Sequence, residues 1–324
     1  MLCLLRTILL CAATSLSAFT SPATAEAYPD KPIRLVVPAA LGTPIDIVSR
    51  LVAKGLSAEL KQPVIVDVRP GATGTVGAQE VLNQPADGYT LMVLHMPMSV
   101  AQSIYERIPF SLHRAFVPIG QTAWSYNVLV VHPSVPASTP AELAALLKSQ
   151  PGKLSFSSGG PGTPAHVAGE LFRQQIGASV LHVPYNQFSQ AVVDLVTGRN
   201  QFMFAATPPM IQYIASERLR ALAVTGPNRI PALKDVPTMA EAGFPDFVVR
   251  DWQGIVAKSG TPQEVVSKVN SALNAVAKSE SFKSSLAGLG ADPAPGTPAQ
   301  FRDLIDGEVG RWAVVARKGN LKVD

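Results

Sequence analysis

Short apolar runs alternate with stretches of helical spacing along most of the chain. Residues 33–37 are apolar apart from Arg34 and predict a buried strand. Residues 45–60 place their apolar side chains on one side of a helix. Residues 63–68, 78–83 and 89–94 continue the pattern as strand, helix and strand. Such alternation is typical of parallel βαβ units, so the predicted fold class is α/β.

The same alternation restarts near Asn127, which indicates a second unit. Strands are predicted over residues 128–131, 154–157, 181–184, 201–204, 219–225 and 254–257, and helices over 141–150, 163–176, 190–195, 262–277, 279–288 and 298–316. A chain of 324 residues is longer than one hydrophobic core normally supports, which also favours two domains.

The composition excludes two classes of protein. Charged residues make up 15% and hydrophobic residues 47% of the chain, so it buries a core and does not stay disordered. The net charge is +4, but Lys and Arg form no long run, and nucleic-acid binding needs such clustering. We therefore expect no nucleic-acid partner, and a mild positive field that attracts small anions.

The first 25 residues have the form of a secretory signal peptide. Arg6 precedes an apolar stretch over residues 7–19, and small residues follow up to Ala25. The stretch is shorter than the roughly 20 residues of a membrane-spanning helix. Cleavage is expected after Ala25 or Ala27, with the mature chain in the periplasm. Cys3 and Cys11 both lie in this segment, so no disulfide is expected in the mature chain.

Two similar turns, Gly42-Thr43-Pro44 and Gly162-Thr163-Pro164, occur once in each half. Each follows a predicted strand and opens a predicted helix, with Thr at the N-cap and Pro at the first helical position. Helix N-termini attract anions, and ligands of α/β sheets lie beyond the carboxyl ends of strands. Facing each other across a cleft, the two turns would hold a carboxylate. Ordinary helix capping is the alternative, and Asp46 favours it for the first turn.

Further candidate contacts follow other strands. Thr73 lies in a glycine-rich turn, Ser158 precedes a second one, and His166 would either donate to a carboxylate or cap its own loop. Met96 and Met98 follow the third strand, where they would fill the core or form a soft apolar wall.

The sequence contains no recognisable catalytic constellation. The glycines over residues 71–77 lack the dinucleotide spacing, no G-x-S-x-G motif occurs, and no histidine pair has metal-ligand spacing. No convincing pair of carboxylates suits general acid–base chemistry either. We therefore expect no cofactor, no metal and no enzymatic activity.

Motifs spread along the chain resemble the Bug-type receptors of tripartite tricarboxylate transporters. They are residues 28–38, 69–72, 87–90, 151–154, 162–166, 182–185, 235–238, 241–243, 252–254 and 260–262. The similarity keeps its order from Tyr28 to the C-terminus.

The resemblance implies a class II, two-lobed periplasmic binding protein fold, in which each lobe is a mostly parallel sheet flanked by helices and the ligand cleft lies between the lobes. Lobe 1 would comprise residues 26–125 and 250–324, and lobe 2 residues 126–249. The implied ligand is a small carboxylate, and the implied partners are membrane transporter subunits. Since closure needs freedom between the lobes, a monomer is expected. A sensory receptor and an exported hydrolase or isomerase are the alternatives.

Several cleft positions depart from the family pattern. Thr43 stands where a second glycine is usual, Asn186-Gln187-Phe188 replaces a basic or small residue followed by glycine, and Ala205-Ala206 replaces a common acidic residue. Without that acid a ligand ammonium has no partner, so we hypothesise a carboxylate with an apolar or aromatic body. The full set of candidate ligand contacts is Gly42, Thr43, Pro44, Thr73, Met96, Met98, Ser158, Gly162, Thr163, His166, Tyr185, Asn186, Phe188 and Ala205.

Overall fold

The computed structural model describes residues 28–322. The predicted signal peptide, with both cysteines and both cleavage positions, lies outside the described residues. Among the helices that are described, none combines the length and the apolar character needed to cross a membrane.

The first half alternates strands and helices as predicted. Its elements are β1 (Ile33–Val37), α1 (Pro44–Leu60), β2 (Val64–Val68), α2 (Thr75–Leu82), β3 (Thr90–His95), α3 (Met96–Ile104) and the short α4 (Leu112–Ala115). A 3₁₀ turn at Ala72–Gly74 precedes α2.

The second half repeats the alternation. Its elements are β4 (Phe116–Val131), α5 (Pro140–Ser149), β5 (Ser155–Ser158), α6 (Pro164–Ile176), β6 (Leu181–Pro184), α7 (Phe188–Val196), β7 (Phe202–Ala206), α8 (Thr207–Ala215) and β8 (Arg220–Val224). The chain continues through a 3₁₀ turn at Pro231–Leu233, β9 (Arg250–Lys258), α9 (Gln263–Lys278), α10 (Glu280–Ala287), β10 (Ala291–Pro293) and α11 (Pro298–Gly319).

The strands follow the order β2-β1-β3-β9-β4-β7-β5-β6, and β8 and β10 also pair with β4. The three strands β2-β1-β3 are parallel, as are β6-β5-β7. The two sets have the same internal order, so β1 is the counterpart of β5 and β3 the counterpart of β7. The predicted α/β fold with two lobes is confirmed.

The long strand β4 connects the two lobes. Its residues 116–126 pair with β9, whereas residues 127–131 pair with β7. The partner therefore changes between Tyr126 and Asn127. The carboxyl end of β3 lies beside the first residues of β9, and the carboxyl end of β7 lies beside Asn127. The carboxyl ends of both parallel sets therefore face the crossover, which places the turns that follow them between the lobes.

The C-terminal helix α11 packs against both lobes. It contacts α3 and the connecting strand β4, and it also contacts α6. Trp252 of β9 and Trp312 of α11 itself, each 1% exposed, lie in the core between this helix and the sheet. Glu308 accepts a hydrogen bond from the indole nitrogen of each, at 3.2 Å from Trp252 and 2.8 Å from Trp312. One carboxylate therefore satisfies two buried donors.

Three parts of the secondary-structure prediction were wrong or incomplete. The segment at Met96-Pro97-Met98, predicted as a turn, begins helix α3, because proline is tolerated in the first turn of a helix. Strand β4 is much longer than the predicted residues 128–131. Helix α8 and strand β10 were not predicted.

Candidate functional site

The two Gly-Thr-Pro turns have the same construction. Thr43 and Thr163 are N-caps in extended conformation, and each Oγ1 accepts a hydrogen bond at 3.4 Å from the backbone N–H three residues later. Each hydroxyl also donates to a backbone carbonyl, at 2.8 Å to Ala40 and 2.7 Å to Gly160. Because β1 and β5 are counterparts, these helix N-termini occupy equivalent places in the two lobes.

The glycine of each turn is held by the side chain at the third helical position. Gly42 N–H donates to Asp46 Oδ2 at 3.0 Å, and Gly162 N–H donates to His166 Nδ1 at 3.1 Å. Both glycines have positive φ, 76° and 78°, which other residues rarely adopt. Asp46, with Arg50 Nε 3.0 Å from its Oδ1, therefore caps its own turn as the sequence indicated.

His166 has a fixed proton position. Its Nδ1 accepts from Gly162, so Nε2 carries the ring proton. Burial lowers the pKa of His166 to about 3, and the charges of His182 and Arg173 contribute. The ring is therefore a neutral donor at physiological pH. Both readings from the sequence remain compatible with this geometry, since Nδ1 caps the loop and Nε2–H remains available.

His182 stacks on the ring of His166, and Ser158 is hydrogen-bonded to His182. The rings of His166 and His182 stack with centroids 4.3 Å apart, and His182 also stacks on Phe156 at 4.7 Å. His182 Nε2 lies 2.7 Å from Ser158 Oγ, which also accepts from Gly160 N–H at 3.1 Å. Burial lowers the pKa of His182 to about 4. Ser158 is fully buried, so its hydroxyl is engaged within this network.

The N-terminus of α6 approaches the other lobe. A Cβ atom added at Gly162 would lie 3.1 Å from Ile104 Cδ1 and 4.0 Å from Thr73 Cγ2. The structure thus brings Thr73 and the second turn together across the lobes. The hydroxyl of Thr73 is 2.8 Å from that of Tyr105. Thr73 and the preceding residue, Ala72, both have positive φ, which indicates a strained turn at this contact.

The apolar candidates Met96 and Met98 are core residues, 0% and 2% exposed. Met98 lies directly against Gly74, since a Cβ added there would meet its Sδ at 2.9 Å. Ala205 is likewise fully buried, in β7. For the two methionines, the structure agrees with the core alternative that the sequence left open.

The β6–α7 turn carries the remaining candidates. The Tyr185 hydroxyl donates to Asp194 Oδ2 and accepts from Asn200 Nδ2, both at 2.7 Å. Asn186 is exposed. Phe188 is half-buried at the start of α7. Tyr185 is thus engaged within lobe 2, whereas Asn186 presents an unburied amide.

Two polar residues at the crossover were missed by the sequence analysis. His95 ends β3, and Gln253 stands directly opposite it in β9. They are 4% and 5% exposed. The available signal for His95 was a histidine at the carboxyl end of a buried strand. Gln253 could not be found, because nothing local in the sequence shows that β9 pairs with β3.

The described residues contain no cluster of three or more His, Cys, Asp or Glu side chains suited to a metal ion. A groove of about 340 Å³ lies at the N-terminus of α11, lined by Gln121, Trp124, residues 293–297, Gln300 and Phe301. None of the cleft turns described above contributes to it. Two α/β lobes joined by crossing strands, with helix N-termini facing the space between them, define the class of two-lobed binding proteins.

Comparison with known proteins identifies the family. Residues 48–321 match the model of the tripartite tricarboxylate transporter family receptor, TctC. The chain is 37% identical over 288 residues to a protein encoded in the tcbD-tcbE intergenic region of Pseudomonas sp. strain P51, a match covering 89% of this chain and 86% of that protein. It is 34% identical over 309 residues to the protein BugT of Bordetella pertussis, a match covering 95% of each.

Solved structures of similar proteins have the same fold as this chain. A periplasmic transporter protein superposes with a TM-score of 0.81 at 36% identity, covering 92% of this chain and 100% of that one. R. palustris Rpa4515 with adipate gives 0.82 at 30% identity, covering 91% and 99%. MatC from Rhodopseudomonas palustris with bound malate gives 0.78 at 27% identity, covering 89% and 99%.

The chain belongs to the tripartite tricarboxylate transporter receptor family, as a Bug-type member. Members of this family are solute-binding receptors and not enzymes, which confirms the predicted absence of enzymatic activity. Family members are periplasmic binding proteins.

Proposed function

We propose that this protein captures a small carboxylate between its two lobes and delivers it to membrane transporter subunits of the tripartite tricarboxylate type. The observation that carries the proposal is the pair of equivalent Gly-Thr-Pro turns. Each presents the N-terminus of a helix of at least 13 residues at the edge between the lobes. The partial positive charge of such ends favours an anion. The related proteins with adipate and with malate support a carboxylate as that anion.

The ligand is further proposed to have an apolar or aromatic body. Ala205 and Ala206 close β7, so this strand end offers no carboxylate to a ligand ammonium. Phe188 supplies an apolar surface at the start of α7. An amino acid would leave its ammonium without a partner at this position, which costs binding free energy.

We also propose how the chain is organised and where it acts. Lobe 1 comprises residues 26–125 and 250–324, and lobe 2 residues 126–249, since β4 changes partner between Tyr126 and Asn127 and β9 starts at Arg250. The signal peptide is cleaved after Ala25 or Ala27, and the mature chain acts in the periplasm as a monomer without nucleic acid.

Binding is tested by measuring the melting temperature of the mature protein with mono-, di- and aromatic carboxylates. A ligand at 100 times its Kd adds about 2.7 kcal/mol to the free energy of unfolding, a shift of several degrees. Aromatic or aliphatic carboxylates are expected to give that shift and glutamate is not. Protein shown to be ligand-free that responds to no carboxylate contradicts the proposal.

The role of the turns is tested by Thr163→Val, with Thr139→Val as the matched control. Thr139 caps α5 through the same hydrogen bond, 3.1 Å from Glu142 N–H, but α5 follows the end of β4 remote from the crossover. Each substitution removes one cap and costs about 1 kcal/mol of stability. Only the Thr163 variant is expected to weaken carboxylate binding, by tenfold or more. Equal affinities of the two variants contradict a role for this turn.

Delivery is tested by uptake of the identified carboxylate into cells that lack this receptor. Re-expression of the receptor should restore uptake only when the transporter subunits are present. If the protein binds the ligand in vitro but uptake is unchanged without it, delivery to a transporter is contradicted and the sensory alternative is favoured.

A further inference from the structure

His95 and Gln253 form a buried polar pair at the edge of lobe 1 that faces lobe 2. They are direct partners in the antiparallel pairing of β3 and β9, so their side chains lie on the same face of the sheet. Gln253 also stands opposite Ala123 of β4, a few residues before the crossover at Tyr126. The pair therefore lies where β9 and β4 run beside the carboxyl end of β3.

The polar atoms of this pair have no partner within residues 28–322. Both ring nitrogens of His95 and the amide nitrogen of Gln253 are buried without a hydrogen bond. The backbone carbonyl of Pro38 lies close enough to the His95 ring to favour its protonated form slightly, although the contact is too poorly aligned to count as a full hydrogen bond. Native proteins pair almost all buried polar groups, so adjacent unpaired donors and acceptors indicate a bound group that completes them.

The chemistry of the two side chains restricts that group. Burial lowers the pKa of His95 to about 4, so the ring is neutral and offers one N–H donor and one acceptor nitrogen. The Gln253 amide nitrogen offers N–H donors only. A hydroxyl group fits both, because its oxygen accepts a hydrogen bond from the amide and its O–H donates one to the acceptor nitrogen of the imidazole. A carboxylate would accept from the ring N–H and from the amide but would leave the acceptor nitrogen of the imidazole without a donor, and a methyl group would leave all three nitrogens unpaired.

The geometry points to a second binding point in the cleft: we propose that His95 and Gln253 bind a hydroxyl group of the carboxylate ligand. This rests on the proposed function, because the carboxylate itself is held at the helix N-termini. β3 is the neighbour of β1, and adjacent strands are about 4.8 Å apart. A hydroxyl on the same small molecule can therefore reach the pair from a carboxylate at the turn after β1.

The test is calorimetric titration with matched pairs of acids that differ by one hydroxyl: malate with succinate, mandelate with phenylacetate, and 3- and 4-hydroxybenzoate with benzoate. The wild-type protein is expected to bind the hydroxylated member of at least one pair at least tenfold more tightly, equivalent to about 1.4 kcal/mol. A site that hydrogen-bonds a hydroxyl rejects the analogue that lacks it, because its own polar groups then stay unpaired.

The matched variants are His95→Leu combined with Gln253→Met, and Leu94→Met as control. Leu94 neighbours His95 but lies on the opposite face of β3. The side chains replaced in the double variant make no hydrogen bond in the described chain, so its melting temperature without ligand should equal or exceed that of the wild type. Its hydroxyl preference should fall to within about twofold, whereas the Leu94 variant should keep it.

Three results separate the possibilities. Equal binding of both members of every pair overturns the inference and leaves the proposed function intact, with the pair satisfied by water. A hydroxyl preference that survives the double variant also overturns it. Failure of every carboxylate to bind the wild type overturns the proposed function and this inference with it.

Discussion

The carboxylate of Glu308 joins β9 to α11, and its removal provides a quantitative test of the structure. Replacing Glu308 by Met keeps the length of the side chain but leaves the indole N–H groups of Trp252 and Trp312 without an acceptor. Both indoles are 1% exposed, so water cannot replace the lost bonds without opening the core. An unsatisfied buried donor costs about 1–3 kcal/mol, so the loss of the acceptor for two donors should lower the free energy of unfolding by about 2–6 kcal/mol.

The matched control is Glu308→Gln. In the wild type a single oxygen, Oε2, accepts from both indoles, and the carboxamide oxygen can take the same place. The contact with Arg311 Nη1, at 3.6 Å, loses its charge attraction, which is a smaller effect at this half-buried position. The control should therefore lose about 1 kcal/mol or less.

The assay is thermal unfolding followed by far-UV circular dichroism, because indole fluorescence would change with the loss of the hydrogen bond itself. For chains somewhat smaller than this one, 1 kcal/mol corresponds to about 2–4 °C in Tm, so the Met variant should melt at least about 4 °C lower. A Met variant that melts at the same temperature as the wild type would contradict this role of Glu308. A Gln variant that falls as far as the Met variant would show that charge, and not the acceptor, matters.

Close packing at glycines and burial of ionisable side chains determine three other measurable effects. Gly254→Ala should strongly destabilise the fold, because the added Cβ would lie 2.6 Å from a backbone oxygen, whereas Gly307→Ala in α11 has open space around it and should stabilise the fold by about 1 kcal/mol. Urea unfolding compares the two variants, and similar midpoints would contradict the packing at Gly254. Burial raises the pKa of Asp251 to about 7, so the stability that its protonated carboxyl contributes is present below about pH 4 and lost as the pH rises through 7. Asp251→Asn should therefore gain stability relative to the wild type from pH 5 to pH 8, and a difference in stability that stays constant over this range contradicts the prediction. Burial lowers the pKa values of His166 and His182, so stability present above about pH 6.5 is lost as the pH falls towards 4; His182→Gln should flatten that loss in Tm, and an unchanged acid profile contradicts it.

Local signals were enough to predict the two Gly-Thr-Pro turns. A threonine N-cap followed by proline specifies the start of a helix from neighbouring residues alone, and α1 and α6 begin where this signal stands. The equivalence of the two turns was visible in the sequence as a weak repeat. Only the strand order shows that the two turns occupy equivalent places in the two lobes.

The first part of β4 could not be predicted because its sequence contains signals that normally end a strand. Pro118 and Gly120 lie at one register shift, and Gln121 and Ala123 at another. Proline and glycine are tolerated in strands at such irregularities. The extended conformation is stabilised here by pairing with β9, whose first residue lies more than a hundred positions further along the chain. No local pattern reports that pairing, and the same reason hid the neighbourhood of His95 and Gln253.

The position of β9 has a consequence for the order in which the chain can fold. β9 lies between β3 and β4, yet it is synthesised after the whole of the segment from Asn127 to Val249. The sheet of lobe 1 therefore has a gap until β9 itself has emerged, whereas lobe 2 already contains all of its parallel strands. Contacts between residues distant in sequence form slowly, because a large loop must close first. Lobe 2 is thus expected to be the early folding unit, and a chain that stops before Arg250 should retain a structured lobe 2 beside an unfinished lobe 1.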